Sequence, residues 1–309
     1  MAQDNKIEKH FFVEVLQSDN LRYVFPCGLG KYRATVQIRQ GGAPYKDNCD
    51  VTIYGVSSET LRQISYLLAN PLTKRDRRNR VRIWVGGDYD ISSEKITGSE
   101  LAFQAETYFI AADFTPAPNI ALRIVGAVGC FEDSQDAGTE MEITDGMTLK
   151  QAFDKIIKNM EWNAVFFNGQ SGKQLANKKL GADLLQGATW YQRALELANK
   201  FNLQIRFENY NIIIAKYGES LYNTEAQLIS SANGLISYPT FTNDGVSFRT
   251  LFNNNLKVGD YVDIYSSVPL ASNEYKIGEK VTTLSSEPNG QWQTQYIAFY
   301  RNGADFNNL

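Results

Sequence analysis

The sequence predicts a mainly β protein with an inserted α+β segment. Most of the chain alternates apolar and polar residues with a period of two, as half-buried strands do. Tyr and Phe, which suit pleated surfaces, number 17 each. Between two such blocks, residues 148–219 change to helical periodicity. A chain of 309 residues exceeds one ordinary core, so we expect two or three domains.

The first block, residues 11–126, is predicted to contain about six strands and one helix. The helix is SSETLRQISYLLAN (57–70), where Leu61, Ile64, Leu67 and Leu68 share one face after a cap at Ser57 or Ser58. The strands are FFVEVL (11–16), YRATVQIRQ (32–40), CDVTIYGV (49–56), RVRIWVGG (80–87), ELAFQAETYFI (100–110) and NIALRIVGAVG (119–129). Six strands suffice for a closed or nearly closed small barrel.

The middle of the chain is predicted to be a compact α+β module. Residues 130–147 are polar and suggest a connection between domains. TLKQAFDKIIKNM (148–160) and ATWYQRALELANKFN (188–202) have the periodicity of amphipathic helices, capped by Thr148 and Thr189. The strand WNAVFF and the hairpin LQIRFENYNIIIAKYG (203–218), with ENYN at its turn, complete the module. Helix, Asn-marked turn and strand occur twice, which is a weak internal repeat.

The last block, residues 228–309, returns to strand periodicity. Its segments are 235–252, 255–267, 275–290 and 291–301, and Pro288-Asn289-Gly290 predicts a tight turn between the last two.

Bulk charge and composition exclude several classes of protein. The formal net charge is −3, which gives no indication of binding to nucleic acid or an anionic membrane. Cys27, Cys49 and Cys130 are widely spaced and predict free thiols in a reducing cytoplasm. We expect neither a signal peptide nor a membrane helix, because no apolar run is long enough.

Candidate catalytic groups are few, and we predict no enzyme, no cofactor and no metal. His10 is the only histidine, so any Ser-His or Cys-His mechanism would have to use it. Glu100 with Glu106, or Glu132 with Asp133, could be proposed as a glycosidase pair, although nothing distinguishes them from solvated carboxylates. CGLGKYR (27–33) lacks the helix that a phosphate loop requires and is better explained as a turn.

The run KRDRRNRVR (74–82) is the strongest charge feature. One interpretation is a basic loop, with Lys74, Arg75, Arg77, Arg78 and Arg80, that docks on an acidic partner or on nucleic acid. The other is a solvated loop between a helix and a strand, which we favour because no aromatic residue interrupts the run.

Four segments resemble phage baseplate hub proteins. GLISYPTFTNDGVSFRTLFNNNLKVGDYVDIYS (234–266) is similar to a G-L-I-x-x-P strand followed by T-L-F-N-P-x-L-x-x-G-D-x-V-x-I, although an asparagine replaces the second proline. NGQWQTQYIAFYR (289–301) resembles the later NGxYKVxxVxHxG strand, without its histidine. Residues 49–64 and 101–129 resemble the strand-helix and the strand pair of tail-tube-like hub domains. Turn chemistry alone explains the Gly259-Asp260 pair of the first motif.

The resemblance implies two tail-tube-like β-barrel domains with an intervening α+β module. We expect domain boundaries at 1–129, 130–147 (a connection, or strands of the second barrel), 148–219 and 220–309. For contractile-tailed phages, the resemblance implies that the hub is a trimer at the centre of the baseplate. The tail tube or a tube-initiator protein would lie above this trimer and the spike below it. Tape-measure and baseplate wedge proteins are further implied partners, and the implied location is the virion tail, after assembly in the host cytoplasm.

Two other functions stay open from the residues. One is a tail-associated cell-wall hydrolase. The other is a carbohydrate- or receptor-binding module, for which exposed aromatic residues such as Trp162, Trp190 and Trp292 would be the candidates, with Trp190 better explained as packed.

Overall fold

A computed structural model gives the fold of residues 10–17, 21–42, 45–68, 79–90, 95–222 and 225–301. The chain divides into two compact units, each made of separate stretches of sequence. Unit 1 comprises Met1–Ile38, Asn48–Ala127 and Thr282–Trp292. Unit 2 comprises Arg39–Asp47, Val128–Val281 and Gln293–Leu309.

Unit 1 is built on an antiparallel sheet with one helix. Its strands are β1 (Phe11–Leu16), β2 (Arg22–Cys27), β3 (Arg33–Gly41), β4 (Asn48–Tyr54), β5 (Arg80–Val85), β6 (Asp88–Asp90), β7 (Lys95–Thr97), β8 (Glu100–Asp113) and β9 (Ala121–Ala127). The main sheet has the order β3-β4-β9-β8-β5-β1-β2, whereas β6 and β7 form a separate two-stranded ribbon. All six strands predicted for this block are present; β2, β6 and β7 were not predicted.

The core of unit 1 consists of apolar side chains that alternate with exposed polar ones along the strands. In β3, Ala34, Val36 and Ile38 are buried while Arg33 and Thr35 are exposed, as the period-two pattern predicts. A β-bulge in β8 shifts its register against β9 between residues 107 and 109. Within the part of the chain that the structure describes, these strands do not close into a barrel, so the predicted barrel is not confirmed.

The helix α1 (Ser58–Leu68) begins where the sequence predicts. The Ser57 hydroxyl accepts a hydrogen bond from Thr60 N at 3.1 Å and thereby caps the first turn. Leu61 and Ile64 are buried on the face that packs on β8, while the side chains of Leu67 and Leu68 lie outside the described part.

Unit 2 contains the predicted α+β module and a further set of β-strands. Its helices are α2 (Leu149–Met160), α3 (Gln170–Ala176) and α4 (Trp190–Lys200). Its further strands are β10 (Met141–Ile143), β11 (Ala164–Phe167), β12 (Asp183–Leu185), β13 (Leu203–Glu208), β14 (Asn211–Lys216), β15 (Gln227–Ile229), β16 (Thr240–Thr242), β17 (Gly245–Leu251), β18 (Tyr261–Ile264), β19 (Asn273–Ser285) and β20 (Trp292–Tyr300). β3, β19 and β20 each contribute residues to both units.

The module packs helices on a three-stranded sheet of order β11-β14-β13. Thr148 and Gln151 form a reciprocal capping box at α2, and the Thr189 hydroxyl accepts from Gln192 N at α4, which confirms both predicted caps. Asn163 follows α2 before β11, and Asn202, with φ 51°, follows α4 before β13. The predicted helix–Asn–strand repeat therefore has a structural counterpart.

The strands β15 to β20 contain the rest of the unit 2 core. β17 pairs with β16 and β20, while β18 pairs with β15 and with the start of β19. The stacked rings of Phe248 and Tyr296, 4.9 Å apart, lie in a cluster with Val262, Tyr275 and Ile277. Here too the described strands form no closed barrel. None of the described helices combines the length and apolar character needed to span a membrane.

Candidate functional site

The Gly259-Asp260 motif forms a tight, buried turn in unit 2. Gly259 adopts φ 96°, and its N–H donates to Ile277 O at 2.8 Å. A side chain there would meet Leu221, because an added Cβ would lie 2.7 Å from Leu221 Cδ1. Asp260 is fully buried and accepts a hydrogen bond from Lys257 N at 2.9 Å. The backbone conformation and close packing therefore explain the glycine at position 259, and the buried hydrogen bond explains the aspartate at position 260.

Lys257 also links this turn to a group of buried charges that the sequence analysis missed. Its ammonium group donates to Glu208 Oε1 at 3.2 Å. The Tyr222 hydroxyl donates to the other oxygen of the same carboxylate. We call Asp47, Arg206, Glu208, Tyr222 and Lys257 the ionic cluster. All five belong to unit 2.

Asp47 and Arg206 form the buried centre of the ionic cluster. Arg206 Nη2 lies 2.6 Å from Asp47 Oδ2, and the two residues are only 2% and 5% exposed. Asp47 also accepts from Gly41 N at 3.0 Å and from Gln40 Nε2 at 3.4 Å, while Arg206 Nη1 donates to Gly41 O. The pair therefore connects Gln40, Gly41 and Asp47 to β13.

The charged groups of the ionic cluster shift one another's pKa values. Burial raises the pKa of Asp47, an effect that Arg206 opposes. Burial alone would lower the pKa of the Arg206 guanidinium, but the nearby carboxylates, chiefly Asp47, keep that pKa above its usual value. Burial also favours neutral Glu208, yet Arg206 and Lys257 outweigh it and lower the pKa of that carboxyl. The carboxylates of Asp47 and Glu208 are thus bound by donors of the same unit.

Of the carboxylate pairs that the sequence offers, Glu100 and Glu106 are too far apart for glycoside hydrolysis. Glu106 lies opposite Arg80 and Glu100 opposite Val85, at the two ends of β5. Six residues of strand separate them by roughly 20 Å, far beyond the roughly 5–10 Å that glycoside hydrolysis requires. Glu132 accepts from Trp162 Nε1 at 2.8 Å, and Asp133 accepts from Lys46 and from the Thr189 hydroxyl.

His10, the three tryptophans and the three cysteines make contacts within the fold. His10 Nε2 lies 2.6 Å from the Gly87 carbonyl. Trp162 is 6% exposed, Trp190 stacks with the Arg193 guanidinium at 4.6 Å, and Trp292 packs 5.9 Å from Phe11. None of these three tryptophans is an exposed binding platform. The three cysteines are free, Cys27 and Cys49 being buried.

Most of the basic segment falls outside the described residues. This applies to Lys74, Arg75, Arg77 and Arg78. Arg80 is the first residue of β5 and lies opposite Glu106 and Leu16. Among the residues that the structure does describe, no three His, Cys, Asp or Glu side chains come together as metal ligands would.

Two of three comparisons find known proteins that are similar to this chain. The model of a family described as "Baseplate hub gp41" matches residues 31–287. No curated protein matches the chain. A 43 kDa tail protein of prophage MuSo2 from Shewanella oneidensis has a similar fold, with TM-score 0.63, 7% identity, and coverage of 95% of this chain and 97% of that chain. A tail protein from Neisseria meningitidis MC58 gives TM-score 0.59 and 11% identity, over 94% of this chain and 96% of that chain.

A further similar structure is an E. coli component of the type VI secretion system, described as structurally similar to the bacteriophage T4 tail proteins gp27 and gp5. Its TM-score is 0.54 and its identity 8%, with 88% of this chain and 75% of that chain covered. At such identities the likeness is one of fold.

Proposed function

This chain belongs to the Baseplate hub gp41 family and is therefore a structural protein of the phage tail baseplate, and we propose that three copies form an adaptor between the sixfold tail tube and the threefold central spike. The single observation that supports the proposal is the family match, which spans residues of both compact units. Location in the virion tail follows from the family, and assembly in the host cytoplasm is part of the proposal.

The symmetry argument for the adaptor rests on two similar domains in each chain. Three chains with two tail-tube-like β-barrel domains each would present six similar surfaces to the tube and three to the spike. Each of the two units contains several β-strands, which is compatible with that arrangement. We retain the boundaries 1–129, 130–147, 148–219 and 220–309 for the two barrel domains, the connection and the α+β module.

A similar fold in the type VI secretion system supports this role. The E. coli protein is a component of that system, and its description relates it to the T4 bacteriophage tail proteins gp27 and gp5. By analogy, we propose that the partners of this chain are the tail tube or a tube-initiator protein, the spike, the tape measure and the wedge proteins. The adaptor acts through geometry and needs neither catalysis nor a cofactor.

The oligomeric state tests the proposal directly. Native mass spectrometry of the purified chain is expected to give a species of three times the 34.8 kDa subunit mass. A second measurement adds the tail-tube protein and the spike protein separately and detects binding to each. A strictly monomeric chain that binds neither protein would contradict the adaptor.

The basic segment keeps its two interpretations, of which the sequence favours the solvated loop. The alternative that we propose to test is that Lys74, Arg75, Arg77, Arg78 and Arg80 meet an acidic neighbouring protein in the baseplate. In that case, reversing the charge of Arg75, Arg77 and Arg78 to Glu weakens assembly of the baseplate. The matched control reverses the exposed Lys158, Lys173 and Lys179. Equal assembly of both triple variants would favour the solvated loop.

A further inference from the structure

A small cavity lies beside the ionic cluster in unit 2. Its volume is about 10 Å³, which is the space that one water molecule needs. The lining includes Tyr191 from α4, Arg206 and Phe207 from β13, and Asp47 from the segment before β4. The cavity is therefore bordered by a hydroxyl group, a guanidinium group and a carboxylate.

The Tyr191 hydroxyl is the unusual group in this cavity. Its oxygen is fully buried and makes no hydrogen bond to any residue that the structure describes. The ring cannot turn away freely, because it stacks on Phe207 at 4.4 Å and lies against Gly129. Burying a hydroxyl without a partner is unfavourable, so a native protein almost always satisfies such a group.

Arg206 Nε provides a second donor of the same kind. It too is fully buried and without a hydrogen-bond partner among the described residues, and Glu208 Oε2 lies 3.9 Å from it. Two residues that line the cavity, one from a helix and one from a strand, thus each carry a buried polar atom without a hydrogen-bond partner.

We propose that this cavity binds one buried water molecule that bridges the Tyr191 hydroxyl to the Asp47–Arg206 ion pair. A buried water makes two to four hydrogen bonds, and the hydroxyl, the carboxylate and the guanidinium supply that number. Water fits better than an ion, because the charges of Asp47 and Arg206 already compensate each other at 2.6 Å. The bridge joins α4 to Asp47 through the ionic cluster.

The bridging role predicts the sign of a mutational effect. If water satisfies the Tyr191 hydroxyl, Tyr191→Phe removes a hydrogen bond and leaves the water with fewer partners. The thermal midpoint is then expected to fall by about 2–4 °C. If the hydroxyl has no partner, the same change removes an unsatisfied buried group, and the midpoint is unchanged or rises. The control is Tyr217→Phe, because Tyr217 is 72% exposed.

A crystal structure of the full chain at a resolution that shows ordered waters is the decisive measurement. We expect one peak within hydrogen-bond distance of Tyr191 Oη and the Asp47 carboxylate, without anomalous signal after a bromide soak. No peak in the cavity, or a bromide signal there, would overturn the water site. A Tyr191→Phe variant as stable as the wild type would overturn the bridging role.

Discussion

Arg206 and Lys280 are two cations buried in the same unit, and the protein satisfies them differently. Arg206 has a carboxylate partner in Asp47 at 2.6 Å. Lys280 is 3% exposed and donates to backbone carbonyls instead, with Leu256 O at 2.9 Å. Burial, reinforced by the Arg206 charge, lowers the pKa of Lys280 to about 8.

Removal of Arg206 is expected to destabilise the fold strongly. Arg206→Met leaves the Asp47 carboxylate buried without its counter-ion, which costs about 3–5 kcal/mol in the free energy of unfolding. Urea unfolding measures this loss. The double variant Asp47→Asn with Arg206→Met removes both charges and is expected to recover part of it. A single-variant loss below about 1 kcal/mol would show that the pair contributes little.

Because the pKa of Lys280 is lowered in the folded protein, we expect the stability to depend on pH. Between pH 8 and about 10.5 the unfolded chain binds a proton at this lysine that the folded chain has released, so the free energy of unfolding rises with pH. Below pH 8 the lysine is charged in both states and the full penalty of burying it is present. Lys280→Met, measured beside the wild type, isolates this contribution from other titrating groups.

Between pH 8 and about 10.5, we expect the free energy of unfolding of the wild type to rise relative to that of Lys280→Met. The size is on the order of a few kcal/mol, since one pKa unit corresponds to about 1.4 kcal/mol. Lys216→Met is the matched control, because Lys216 is exposed. A difference that stays constant from pH 7 to 10.5 would contradict the lowered pKa.

The hairpin of β13 and β14 shows how local chemistry fixes an element. Glu208 pairs with Asn211, so Asn209 and Tyr210 form a two-residue turn, and their φ angles are 51° and 59°. Two successive left-handed residues define a type I′ turn, which suits Asn at the first position. Tyr210 is less suited to that conformation, and its ring packs 5.8 Å from Trp162.

Substitutions at Asn209 are expected to separate backbone conformation from packing. Asn209→Ala places a residue without a compensating polar side chain in the left-handed region and is expected to cost about 1 kcal/mol. Asn209→Gly tolerates that φ and is expected to stay within a few tenths of a kcal/mol. Chemical denaturation of both variants measures the difference. Equal losses would mean that the Asn side chain matters for a reason other than the turn.

Elements with strong local signals could be predicted from the sequence, and others could not. The alternation of β3 and the caps at Ser57, Thr148 and Thr189 are local, and the structure confirms them. β2 contains Pro26, which argues against a strand, yet its pairing with β1 overrides that signal. The helix α3 is short and contains Gly172, so its periodicity was too weak to detect.

The ionic cluster was missed for a different reason. Its members come from segments that are distant in sequence, from Asp47 to Lys257, and no local pattern joins them. One signal was present, because Arg206 interrupts the apolar strand LQIRFE at a position that the structure buries. The Gly259-Asp260 turn was predicted, but its connection to the cluster through Lys257 required the structure.

At the scale of the whole molecule, assembly of three copies predicts a stability that depends on concentration. If the trimer is the stable form, raising the chain concentration favours the folded state by mass action, so the thermal midpoint increases. Differential scanning fluorimetry over a hundredfold dilution series, with light scattering at each end, measures this. A midpoint that stays constant while the mass remains that of one chain would argue against the trimer.

The division of the chain into interleaved units has a consequence for synthesis on the ribosome. Most of unit 1 is translated before residue 128, but its last stretch, Thr282–Trp292, is translated only after Val128–Val281 of unit 2. At typical elongation rates the nascent chain waits roughly 10–30 s between these pieces of one unit. Unit 1 therefore becomes complete only after Trp292 has been translated, and a chain that stops before Thr282 lacks a part of both units.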